Sequence, residues 1–202
     1  MKRKFALTIV VLSIFGVLST FISTAIDNPD TPLISSLLTL RYFTIQSNLI
    51  VLTYFWMLFY LKLDKNVKFN KFLGGVTVYI TITFLVFAIA LQKTWHPEGI
   101  GLVGNILNHY VVPIGTLAFL GWFKKDYLFT FSDIKTWLIY PIVYLVFLVI
   151  QGLISGDYIY PFFQIDEVGV LPFIYGILGV ILLFLGLSAA SIFITSKNKI
   201  ID

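Results

Sequence analysis

The sequence contains no cysteine. Disulfides, thiolate nucleophiles and Cys-ligated metal centres are thereby excluded. Charge is scarce as well: Asp, Glu, Lys and Arg make up only 12% of the 202 residues, about half the share of a soluble domain. His96 and His109 are the only histidines. None of the long apolar runs carries Asp or Glu. A proton-coupled transporter would lack its intramembrane carboxylate, and a zinc or di-iron site would lack ligands. There is neither a G-x-S-x-G elbow nor a phosphate-binding glycine loop. What the chain has instead is apolar surface: 58% hydrophobic residues and a mean hydropathy of +0.94. So much of it would aggregate in water, which excludes a water-soluble globular enzyme, a disordered protein and a nucleic-acid binder.

About 20 apolar residues cross a bilayer as a helix. The runs at 5–26, 36–61, 72–92, 102–123, 134–155 and 171–195 predict six transmembrane helices. Their connections are short, so residues 1–202 are expected to form one all-α, polytopic domain. The first run is too long for a signal-peptide core and is read as a retained helix. Lys and Arg favour cytoplasmic loops. Lys2, Arg3 and Lys4, then Lys62, Lys65, Lys68 and Lys71, then Lys124, Lys125 and Lys135, then Lys197 and Lys199 all fall on one side of a six-span chain. Asp27, Asp30, Glu98, Asp157, Asp166 and Glu167 fall on the other, with Lys93 the only loop lysine there. Both termini are therefore expected in the cytoplasm. Trp56, Trp95, Trp122 and Trp137 lie near span ends, where interfacial anchoring accounts for them. Gly74, Gly75, Gly176, Gly179 and Gly186 predict close helix approach.

Polar side chains within a bilayer are costly and usually face the bundle interior. The second run holds RYFTIQSN, residues 41–48; helical spacing puts Arg41, Thr44, Ser47 and Asn48 on one face. The fourth holds GNILNHYVVP, residues 104–113, with Asn105, Asn108 and His109 on one face. Gln151 lies about one turn inside the fifth, and YIYPFFQ, residues 158–164, follows it. Thr44 and His109 each lie roughly 10 Å below the outer end of their spans at 1.5 Å per residue. This shared depth points to one polar cavity between spans two and four, open to the outer leaflet and capped by Tyr160, Pro161 and Phe162. Each residue also has a plain structural reading. Thr44 and Ser47 can bond the carbonyl one turn back, His109 can join two helices, Arg41 can snorkel to headgroups, and Pro113 can mark a kink.

Taken together, RYFTIQSN, NHYVVP and the YPFF of the last outer loop resemble the bacterial six-span, proline-containing membrane proteins, a group similar to the vertebrate androgen-induced protein family. The likeness runs over nearly the whole chain. It implies an intramembrane threonine hydrolase acting on fatty acid esters of hydroxy fatty acids, with the nucleophile at Thr44 and the essential histidine at His109. The spacing from His109 to Pro113 departs from the vertebrate pattern, which bears on local helix geometry and substrate. The resemblance also implies a bacterial plasma-membrane location.

A threonine hydroxyl needs a nearby base to act as a nucleophile, and His109 is the only candidate in a span. Asn48, Asn108 and Tyr160 are candidate oxyanion donors, with no order among them. With no acid at depth, an amide, a tyrosine or a backbone carbonyl must orient His109. Arg41 is expected to meet a fatty carboxylate, and Ser47, Asn105 and Gln151 to complete the substrate-binding set. The expected partner is a membrane lipid or fatty acyl ester; neither cofactor, metal nor protein partner is expected. A non-catalytic lipid-binding or lipid-transfer protein would use the same cavity, and a small-solute transporter is the third reading.

Overall fold

In hydrocarbon a backbone N–H or C=O has no water to bond, so a long apolar segment satisfies its polar groups internally by forming a helix. The computed structural model describes residues 1–196, and among them it is all-α, without a β-strand. Six helices are long and apolar enough to cross a membrane: Lys2–Asp27, Phe43–Tyr60, Val67–Leu91, Gly99–Asp126, Phe131–Ser155 and Val170–Ser196. The chain is an integral, multi-pass membrane protein. The first span packs on the second and fourth, and the third runs through the middle of the bundle, against the second, fourth and sixth. The third is the most buried; the fifth and sixth are the least.

Ion pairs knit the lysine-rich end. Lys2 Nζ lies 3.1 Å from Asp126 and Arg3 3.4 Å from Asp64, so the N-terminal segment reaches both other basic connections. Lys71 meets Asp133 at 2.8 Å. Lys197 and Lys199 lie outside the described residues.

The second span differs from its expected range. It does not run from residue 36. A short helix, Pro32–Leu38, passes into a single 3-10 turn, Thr39–Arg41, and the chain turns extended at Tyr42 (φ −78°, ψ 133°) before Phe43 starts the span. Arg41 therefore does not share a helical face with Thr44. The break holds because side chains satisfy the freed backbone. The Phe43 N–H donates to the hydroxyls of Tyr144 and Tyr160, each at 3.0 Å, and Tyr144 donates to the Arg41 carbonyl at 3.0 Å.

Trp137 also departs from expectation. It is no interfacial anchor but a core residue, 1% exposed, with its indole N–H on the Lys71 carbonyl at 3.1 Å. Gly74 and Gly75 lie against its ring, and a Cβ on Gly74 would come within 2.1 Å of it. Gly176 lies against Phe163, whereas Gly179 and Gly186 face open space and support no close approach.

Candidate active site

The Thr44 hydroxyl lies 3.3 Å from His109 Nε2. Among the described residues it has no other hydrogen-bond partner. The other ring nitrogen, Nδ1, lies 3.1 Å from the Asn105 carbonyl one turn back. A carbonyl only accepts, so Nδ1 carries a hydrogen. In the neutral ring Nε2 then presents its lone pair to Thr44. The orienting group is thus the backbone carbonyl of Asn105, not a carboxylate.

His109 occupies a turn that is wider than α. Residues Leu107–Val111 form a π-turn, in which the Val112 N–H reaches the Leu107 carbonyl five residues back. The carbonyl of Asn108 loses its usual donor, Val112, and the next residue, Pro113, has no N–H to give. Asn48 supplies the missing bond. Its side-chain amide donates to the Asn108 carbonyl at 3.1 Å and to the Thr44 carbonyl at 2.8 Å. Asn48 is one turn from Thr44, and Asn108 adjoins His109, so this contact sets the register that brings hydroxyl and imidazole together. The Asn108 side-chain amide turns the other way, to the Gly16 carbonyl and the Thr20 hydroxyl, both at 3.0 Å. A Cβ on Gly16 would strike it at 2.4 Å, so that approach requires glycine.

A cavity of about 330 Å³ lies beside the dyad, within the range of small-molecule sites, about 300–1,000 Å³. Thr44 stands in its wall, but the cavity lies between spans two, three, five and six rather than two and four. Its lining is almost wholly aliphatic and aromatic; the hydroxyls of Thr44, Thr83, Tyr144 and Tyr160 are the polar exceptions. Ile142 of span five and Ile181 of span six line it and are both exposed, so the cavity is accessible between these two spans.

Of the residues expected at this space, Thr44, Tyr160 and Phe162 line it, whereas His109 lies behind Thr44 and Phe87 and Pro161 turns away from the lining. Asn48 and Asn108 are fully buried behind it and hold backbone carbonyls, which removes them as oxyanion donors. Ser47 is buried too, bonded to the Thr44 carbonyl at 3.0 Å and to Thr83 at 2.7 Å. Asn105 contributes its main chain. Arg41 does not line the cavity: its guanidinium already has a carboxylate, that of Asp157 at 2.9 Å. Gln151 donates to the Asp157 carbonyl at 3.2 Å and braces the loop after the fifth span. Among the described residues no group of three His, Asp or Glu side chains gathers to hold a metal.

Three contributors escaped sequence reasoning. Phe87 stacks on His109, ring centroids 3.8 Å apart and planes 17° from parallel. It opens a second π-turn, Phe87–Leu91, that faces the first. In a chain with 20 phenylalanines, nothing local distinguishes it. Tyr144 and Asp157 act through partners more than 100 residues away in sequence, and no spacing rule reaches that far. No family model matches this chain, and no curated protein or solved structure matches it.

Proposed function

We propose that the protein is an intramembrane hydrolase of lipid esters, with Thr44 as nucleophile and His109 as general acid and base. The observation that carries the reading is the 3.3 Å contact between the Thr44 hydroxyl and His109 Nε2, with Nδ1 fixed on the Asn105 carbonyl, at the wall of an apolar cavity. A nucleophile bonded to a base that is itself oriented by a third group is the arrangement acyl transfer needs. Thr44 attacks the ester carbonyl carbon while His109 takes its proton. The tetrahedral intermediate collapses, the bond to the alcohol oxygen breaks, and His109 returns the proton to that alcohol. A water, deprotonated by His109, then attacks the acyl-threonine; the bond to the Thr44 oxygen breaks, His109 returns the proton to that oxygen, and the acid is released. The acyl chain lies among the aliphatic and aromatic walls and enters from the lipid side between spans five and six.

Membership of the six-span, proline-containing family belongs to this proposal, as does residence in a bacterial plasma membrane with both termini in the cytoplasm. An ester of a fatty acid with a hydroxy fatty acid is the substrate class the resemblance suggests. The cavity favours an acyl ester uncharged near the reacting carbonyl, since among the described residues no cationic side chain lines it. One observation favours the second reading, a non-catalytic lipid-binding protein: the apolar lining suits any acyl chain, whether or not it is cleaved.

The test is covalent labelling. A long-chain fluorophosphonate should modify Thr44 of the purified protein, and the modified residue is read by peptide mass. Hydrolysis of a long-chain lipid ester should vanish with labelling. A protein that binds fatty acyl esters, releases no acid and carries no label at Thr44 is the lipid binder instead.

A further inference from the structure

Tyr160 sits in the cavity wall with Thr44, on the loop between spans five and six. Its oxygen accepts the Phe43 N–H at 3.0 Å, the N–H of the residue directly before Thr44. Tyr144 accepts the same N–H, but its own proton goes to the Arg41 carbonyl at 3.0 Å. Among the described residues the Tyr160 proton goes to no backbone carbonyl, and the hydroxyl beside it is that of Tyr144. A hydroxyl whose oxygen already accepts an N–H bond is a stronger donor, because successive hydrogen bonds polarise one another.

The loop holds this phenol at a cost. Ile159, immediately before it, has φ +68°, the left-handed region that a β-branched residue rarely enters. The Tyr160 N–H closes a tight turn onto the Tyr158 carbonyl at 2.7 Å. Several bonds hold the turn. The Ile159 N–H donates to Asp157 at 2.9 Å, Arg41 grips the same carboxylate, and Gln164 donates to the Gly156 carbonyl at 2.8 Å. Backbone strain kept in place by surrounding contacts collects where a side chain must be aimed, and the chain leaves this turn through Pro161 with Tyr160 extended, its side chain in the cavity wall.

We propose that Tyr160 is a catalytic residue: its O–H donates to the oxygen of the ester carbonyl as Thr44 attacks. As the Thr44 oxygen bonds to carbon and its proton passes to His109, the carbonyl π pair moves onto oxygen, and that oxyanion receives the Tyr160 hydrogen bond. On collapse the pair returns, the bond to the alcohol breaks, and Tyr160 keeps its proton throughout. Burial pushes its phenol up to about 12, so it remains a donor across the neutral range. The assignment rests on the Thr44–His109 reading, and it replaces Asn48 and Asn108, whose amides are occupied elsewhere.

The experiment compares the parent with Tyr160→Phe on two ligands. One is a long-chain trifluoromethyl ketone, which adds to Thr44 as a tetrahedral oxyanion; the other is an unreactive ether of the same length. Tyr160→Phe should lower kcat by about 10²–10³-fold, the scale of one lost oxyanion donor, with KM little changed. Ketone affinity should fall with kcat while ether affinity holds. A purely structural tyrosine would move both ligands together or neither. If Tyr160→Phe binds neither, 3-fluorotyrosine at position 160 decides. It keeps the shape and lowers the phenol's pKa, so the alkaline limb of kcat should move to lower pH; an unmoved limb overturns the assignment. Unchanged kcat and ketone affinity in Tyr160→Phe, with Thr44 still labelled in the parent, removes Tyr160 and leaves the dyad. A parent that forms neither product nor ketone adduct overturns the dyad and Tyr160 with it.

Discussion

Asn48 gives its side-chain amide to the main-chain carbonyl of Asn108, 3.1 Å away across the bundle, and so supplies the donor that the π-turn diverts and Pro113 lacks. One contact both repairs the backbone of span four and aligns Thr44 with His109.

Asn48→Ala should therefore weaken stability and catalysis together. It leaves a buried carbonyl unpaired, which costs about 1–3 kcal/mol. Thermal unfolding in detergent should move down by several degrees, and hydrolysis should fall as the dyad loses its register. Full activity at a lowered midpoint would show that other contacts set the Thr44–His109 distance.

Thr44→Ala should abolish both hydrolysis and phosphonate labelling with little change in unfolding, since one hydroxyl contributes about 1 kcal/mol. Thr44→Ser keeps the hydroxyl and should keep part of the activity. His109→Ala should lose about 10²-fold or more, the usual scale of a general base. Lys68→Ala, at the lysine-rich end and exposed, is the control and should match the parent. Initial rates on one long-chain ester check all four.

Because the chain has no cysteine, its orientation can be mapped with single introduced thiols. Lys65 and Glu98 lie in connections at opposite ends of the bundle, and both are exposed. An impermeant maleimide added outside intact cells should label Glu98→Cys and spare Lys65→Cys. Asp157 is a poor choice for this purpose because it holds Arg41 and the Ile159 N–H. The reverse labelling pattern would turn the cavity toward the cytoplasm.

Gly74→Val should destabilise by about 1–3 kcal/mol, the scale of overpacking, because its side chain must enter the space of the Trp137 ring. Gly179→Ala meets open space inside a helix and should not destabilise; the alanine is favoured there by about 0.5–1 kcal/mol. Equal midpoints for the two would contradict the tight Gly74–Trp137 contact.

The sequence by itself determined the six-span all-α architecture, because lipid leaves an apolar run no alternative to a helix. It also singled out Thr44 and His109, since polar groups at depth in a bilayer stand out against a nearly featureless background. Local patterns misplaced the second span's start, because the break at Tyr42 is stabilised by Tyr144 and Tyr160, which lie more than 100 residues on. They misjudged Trp137, because a tryptophan near a span end looks the same in sequence whether lipid or Gly74 lies beside it. Depth alone grouped Arg41, Ser47, Asn48, Asn105, Asn108 and Gln151 with the dyad. Tertiary structure separated them: a buried or half-buried amide or guanidinium satisfies the nearest unpaired group, and here those groups were the carbonyls of Asn108, Gly16 and Asp157 and the Asp157 carboxylate. Spacing along one helix records which face a residue takes. Which neighbour it meets depends on how the other five helices pack, and that packing alone placed the apolar cavity against spans two, three, five and six, with Thr44 in its wall and no residue of span four in its lining.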